Sequence, residues 1–246
     1  MNRIEFIKNS LIIGAGFSVL PAFSMNSFQN NYTRSQLIGL GNPDIIGETY
    51  TSKMHKETAI ALEKMKTSAA IESIQIEVVS AYRSFQRQKE IYEGKYKRFI
   101  SQGLSPVDAI NKIVEFSTIP GTSRHHWGTD IDIIDSTTPQ PENVLQAKHF
   151  HGKGPYCKLK DWLNEYAESF GFYEVYTDDP HRKGFEYEPW HFSFAPVSKP
   201  MLKAFIELDL KTVMLEERIM GGEYITDDFI FKYRQENILD INPDLL

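Results

Sequence analysis

Apolar residues change their spacing several times along this chain, and each change marks an expected element. From Lys53 to Ala70, the residues Ala59, Leu62 and Met65 recur at the spacing of one helix face. Ile74–Val79 alternates and then runs apolar, which suits a strand entering a core. The helical pattern returns over Ser84–Gln102, with Phe85, Ile91, Tyr92, Tyr96 and Phe99 as its apolar members. Ser105-Pro106-Val107-Asp108 has the cap and first-turn chemistry of a short helix reaching Phe116, and Pro120-Gly121 stops it. Thr129–Ile134 is expected as a strand and Tyr156–Phe170 as a helix closed by Gly171. Phe172–Tyr176 and Trp190–Phe194 follow as two further strands. This order predicts an α+β fold, with helices packed on a small, largely antiparallel sheet.

The two ends differ from the middle. Arg3 and Lys8 precede the apolar stretch Leu11–Leu20, and Ala22-x-Ser24 follows. A basic start, a short apolar run and small residues two apart predict a secretory signal over residues 1–24. An uncleaved anchor or a buried first helix is the alternative. Residues 25–50 are expected as linker and loop, broken by Gly39, Gly41-Asn42-Pro43 and Gly47. Beyond Pro196, Pro200–Arg218 and Asp227–Glu236 look helical around Gly221-Gly222. Residues 197–246 are therefore expected as a helical extension on the main domain, residues 51–196.

Composition narrows the function classes. The chain has 246 residues, 41% of them hydrophobic, enough for one sizeable core. With 27 Lys+Arg against 33 Asp+Glu, the surface offers no general attraction for nucleic acid or anionic lipid. Cys157 is the single cysteine, so no disulfide framework within the chain is possible.

Two segments bring histidine and carboxylates together: Ser123–Asp132, with His125, Asp130 and Asp132, and Glu186–His191, with Glu188. A hydrolytic zinc site takes three His or carboxylate ligands and leaves a fourth position open, with a nearby Glu to handle protons. His125, Asp132, His191 and Glu188 supply that inventory. Seven residues of extended chain would separate His125 from Asp132 by roughly 23 Å. The chain must therefore fold back between them, and Gly128 is the obvious place. In the strand that follows, Asp130 and Asp132 share one face and Ile131 and Ile133 the other. On spacing alone a solvated loop is the commoner reading of such a His-rich turn.

A third segment, Tyr82-Arg83-Ser84-x-x-x-Gln88, completes a pattern. The sequence resembles the zinc D-alanyl-D-alanine carboxypeptidases of the VanY type and their L,D-carboxypeptidase relatives, whose fold is related to the Hedgehog signalling domain. Ser123-x-His125-x-x-Gly128-x-Asp130-x-Asp132 and Glu188-Pro189-Trp190-His191 carry the likeness, which runs from about Lys53 to Pro196. The resemblance implies one zinc ion on His125, Asp132 and His191, Glu188 as catalytic base, and Arg83 holding the substrate and stabilising the oxyanion. Ser123 and Gln88 match pocket residues that hydrogen-bond the peptide. The implied substrate is the stem peptide of peptidoglycan, and the implied place of action is the periplasm or the outside of the cell. Two departures stand out: Asp130 replaces a small residue, and Glu174-Val175 replaces a leucine-arginine pair before Tyr176. Asp130 could orient a ligand, act as an alternative ligand or alter the pocket. The competing readings are a peptidoglycan endopeptidase of the same fold, a non-catalytic wall-binding module that keeps zinc, and a peptidase for ordinary L-peptides.

Overall fold

A computed structural model describes residues 32–246. The signal expected over residues 1–24 lies outside them. Among the described residues no helix is long and apolar enough to cross a membrane.

The stretch expected as loop begins with a short helix, α1 (Arg34–Leu37), closed at its start by a reciprocal Thr33–Gln36 capping box. Two short strands follow, β1 (Ile45–Ile46) and β2 (Met54–His55), paired antiparallel. Then come α2 (Lys56–Ile71), β3 (Ile76–Ser80), α3 (Phe85–Ser101), α4 (Pro106–Val114) and β4 (Asp130–Asp135). Next are α5 (Cys157–Tyr166), β5 (Phe172–Glu174) and β6 (His191–Phe194). The main sheet runs β3-β4-β6-β5, and all three pairings are antiparallel. That is the predicted architecture.

β4 lies between β3 and β6 and is buried along its whole length. Ile131 and Ile133 are fully buried in the apolar core, alongside Leu62 and Met65 of α2 and Tyr92 of α3. The opposite face of the same strand carries Asp130 and Asp132. β6 repeats the division, with Asp130 opposite Ser193, Ile131 opposite Phe192, and Asp132 opposite His191. Period-two alternation thus separates a dry face from a polar one on both strands.

The C-terminal part corrects the expected single helix over 200–218. α6 starts at Ala195 and ends at Phe205. Pro196 sits in its first turn, where a missing N–H costs nothing. A separate helix, α7 (Leu210–Glu216), begins where the Asp209 carboxylate accepts from the Lys211 and Thr212 amides. α8 (Asp227–Tyr233) then passes into a single π turn, Arg234–Ile238.

Gly128 makes the predicted reversal, with φ of 70°. Its carbonyl accepts from the His55 amide at 2.8 Å. A Cβ there would stand 2.4 Å from Ile45 Cδ1 and 2.7 Å from the His55 nitrogen. Gly128→Ala combines left-handed strain with a clash against backbone, so it is expected to cost about 2 kcal/mol or more. Urea denaturation measures this, and an unchanged midpoint would refute it.

Candidate metal centre

Three elements deliver the site. A 3₁₀ turn, Arg124–Trp127, precedes Gly128 and presents His125; β4 presents Asp132; β6 presents His191. One ligand atom from each of these three residues lies within 4.8 Å of the others, and all three residues are buried. His125 Nε2 is 3.5 Å from Asp132 Oδ2, and His191 Nδ1 is 3.9 Å from Asp132 Oδ1. Among the described residues Asp132 Oδ1 is a buried oxygen with no hydrogen-bond donor. A buried carboxylate oxygen left so costs stability unless a cation completes it. The donor set and this oxygen fit a divalent metal held by His125, Asp132 and His191.

Hydrogen bonds select the ligating nitrogen on each ring. His125 Nδ1 is 2.7 Å from the Ala81 carbonyl, which can only accept, so Nδ1 carries the proton and Nε2 is left with its lone pair. A register shift between Val78 and Ser80 in β3 brings the chain to that carbonyl. His191 Nε2 is 3.1 Å from Asp130 Oδ1, which leaves Nδ1 facing Asp132. Glu188 Oε2 is 2.7 Å from the same Nδ1. A tight turn, His191 N–H to Glu188 carbonyl at 3.0 Å, folds the glutamate back over the ring.

The structure decides among the readings of Asp130. Its Oδ1 takes Arg124 Nε at 2.8 Å as well as His191, while its Oδ2 takes Thr129 Oγ1 at 2.7 Å and Ser193 Oγ at 2.9 Å. Both oxygens are committed, so Asp130 orients His191 and is not an alternative ligand. Burial alone would raise its pKa, but the Arg124 guanidinium and His191 hold it well below the usual carboxylate range. Burial would likewise lower the pKa of His191, but the hydrogen bonds to Asp130 and Glu188 prevail and push it up to about 10. His125 has no such pair of acceptors, and burial pulls it down to about 4 against the opposing influence of Asp132.

A cavity of about 220 Å³ opens over these groups, lined by Arg83, Ser123, His125, Asp132, Glu188 and His191 together with Tyr176, Phe185 and Trp190. Arg83 Nη1 donates to Gln88 Oε1 at 3.1 Å and Nη2 to Ser80 Oγ at 3.4 Å. Arg83 Nε is buried without a partner among the described residues. Gln88 departs from the expectation of a peptide-binding residue. It is fully buried behind Arg83, and its amide donates to the Thr118 carbonyl at 2.7 Å.

Residues 51–197, more than half of the chain, match the VanY family, D-alanyl-D-alanine carboxypeptidase. The chain belongs to the VanY family. A D-alanyl-D-alanine carboxypeptidase of Enterococcus faecalis is 26% identical over 137 residues, or 55% of this chain and 46% of that protein. This chain thus spans less than half of that relative's length. The LdcB LD-carboxypeptidase has 24% identity and a TM-score of 0.50, with 80% of this chain and 79% of that one covered, and shows the same fold. A vancomycin-resistance D,D-pentapeptidase VanY solved in complex with Zn(II) is 20% identical, with a TM-score of 0.48 and coverage of 75% and 90%.

Several members of this VanY-family site carried no legible sequence signal. Arg124 is an arginine on a turn, Thr129 a small polar residue just before β4 and Ser193 one within β6, and they meet only in space, on Asp130 and, for Arg124 and Ser193, on each other. His126 is another. Its Nδ1 is 2.6 Å from the Arg83 carbonyl, and its Nε2 accepts from the Gly121 amide at 3.1 Å.

Two predictions follow from the second nitrogen of His191. Asp130→Ala would leave Arg124 buried and unpaired, at about 3–5 kcal/mol; Asp130→Asn keeps the shape and removes the charge. That variant is expected to lose about 10–100-fold in divalent-metal affinity, read by competition with a chelator; undiminished affinity would count against the assignment. With no ion in place His191 is protonated at neutral pH, whereas His125 is neutral. Ligands must be deprotonated, so loading at pH 6 should expel about one proton per chain. Calorimetry in buffers of different ionisation enthalpy counts it.

Proposed function

We propose that this chain is an exported zinc carboxypeptidase that removes the terminal D-alanine from peptidoglycan stem peptides. The observation that carries the reading is the meeting of His125, Asp132, His191, Glu188 and Arg83 in one cavity, where Asp132 Oδ1 is buried with no hydrogen-bond donor among the described residues. Zinc, when bound, supplies a Lewis acid that acidifies water and polarises a carbonyl.

The side chains perform the rest. Glu188 is 31% exposed at the cavity, so its carboxylate reaches solvent and substrate alike. It takes a proton from the attacking water and returns it to the departing amine as the C–N bond breaks. Arg83 is held by Gln88 and Ser80, which leaves its remaining N–H groups for an anion. A guanidinium so placed binds a terminal carboxylate or steadies negative charge developing on the carbonyl oxygen. Ser123, buried in the cavity wall, is positioned to hydrogen-bond the peptide.

The test is a digest of purified muropeptides read by mass spectrometry. Loss of a single alanine is expected, whereas internal fragments would make the chain an endopeptidase. Glu188→Gln should retain metal and lose roughly 10²–10⁴-fold in turnover. Equal turnover in that variant would end the assigned mechanism, and a wild type without hydrolysis would favour a wall-binding module.

A further inference from the structure

The family match ends at residue 197, yet a later segment, Tyr233–Asn242, bonds to both sides of the cavity. On one side stands the loop 117–123, which presents Ser117, Thr118 and Ser123. The buried Tyr233 hydroxyl accepts from the Ile119 amide at 3.2 Å and lies 2.8 Å from Thr122 Oγ1. Thr122 already donates to the Ile119 carbonyl, so the tyrosine donates to the threonine. On the other side is the loop 176–186, which presents Tyr176 and Phe185.

That second loop is wrapped around Arg182, whose guanidinium donates to the carbonyls of Thr177 and Phe185 at 2.7 Å each. Its third bond goes to the Asp240 carbonyl at 3.1 Å. The Asp240 side chain accepts from the amides of Lys183 and Gly184, and Asn242 bonds to Glu174 and Val175. Contact with the segment is close, since a Cβ on Gly184 would fall 1.8 Å from the Glu236 carbonyl oxygen. Between its two anchor points lies the π turn Arg234–Ile238, an irregularity that recurs at functional sites.

We propose that Tyr233–Asn242 is a specificity-determining strap that fixes the distance between the two cavity walls and so restricts the substrate's terminal residue to an alanine-sized side chain. The inference rests on the carboxypeptidase reading for its substrate. A cavity of about 220 Å³ is smaller than most ligand sites, which run from about 300 Å³ upward. Gln88 and His126 tie the first wall to the body of the protein, but among the described residues no hydrogen bond joins the two walls directly, so the strap is what bonds to both. Tyr233 and Asp240 are positioning residues and do not touch the reacting atoms.

The test uses the full chain with Tyr233→Phe, which removes the hydroxyl bonded to Ile119 and Thr122, and Asp240→Ala, which removes the oxygen that accepts from the Lys183 and Gly184 amides. Wild type and variants are assayed on one stem peptide ending in D-alanine or in D-leucine, and amide hydrogen exchange is followed in the same samples. Each variant should keep kcat on D-alanine and metal affinity within about twofold, while KM rises about fivefold. The preference for D-alanine over D-leucine should fall by about tenfold. Exchange should quicken in residues 117–123 for the first variant and 176–186 for the second, with β4 and β6 unchanged. Unaltered selectivity, or faster exchange spread over the whole chain, would overturn the proposal. If the wild type cleaves neither peptide, the carboxypeptidase reading fails while exchange still decides the strap: unaltered protection in both loops sinks it.

Discussion

Asp132 and His191 face one another across the β4–β6 pair, and that register sets where every other group of the centre must lie. A slip of one residue in either strand would turn its polar side chain, Asp132 or His191, into the apolar core and bring Ile131 or Phe192 to the cavity. The slip is opposed by the burial of Ile131, Ile133 and Phe192, none of which is more than 2% exposed. The hydrophobic face of the two strands therefore enforces the polar geometry of the other. His125 joins them because the chain reverses at Gly128 and hangs its ring on the Ala81 carbonyl.

The centre concentrates charge that would be costly to bury in isolation. Arg124 and Asp130 are almost inaccessible, and each is the other's principal compensation. A guanidinium is suited to this because its fork serves Asp130 through Nε and Ser193 through Nη2. The same fork lies 5.0 Å over the Trp127 ring, which links the centre to the aromatic core. What this arrangement secures is the direction in which His191 Nδ1 points, because a carboxylate held by Arg124, Thr129 and Ser193 leaves the ring little freedom to rotate.

Much of the sheet was legible in the sequence because period-two alternation is a local signal, whereas spacing alone left the centre open and the resemblance supplied its residues. Ile74–Val79, Thr129–Ile134 and Trp190–Phe194 each fall on an observed strand to within two residues. The fold-back followed from the reach of an extended chain once His125 and Asp132 share one ion, and glycine's freedom put it at Gly128. Partners that meet only in space were not legible. Nothing near Tyr233 in the sequence points to Ile119, and nothing near Asp240 points to Arg182. The break between α6 and α7 had a signal in the Asp209 cap, but the apolar spacing on either side continues a helix and masked it. Gln88 sits in a matched motif, and only its burial shows that it serves Arg83 from behind.

The Asn242 contacts have a consequence for how molecules of this chain meet one another. β5 is an outer strand of the sheet, three residues long, and the Asn242 side chain takes up the Glu174 carbonyl at 3.0 Å. An open strand margin is a template for pairing with a second chain. By occupying that margin with a side-chain amide and following it with Pro243, the C-terminus blunts the sheet where intermolecular pairing would otherwise begin.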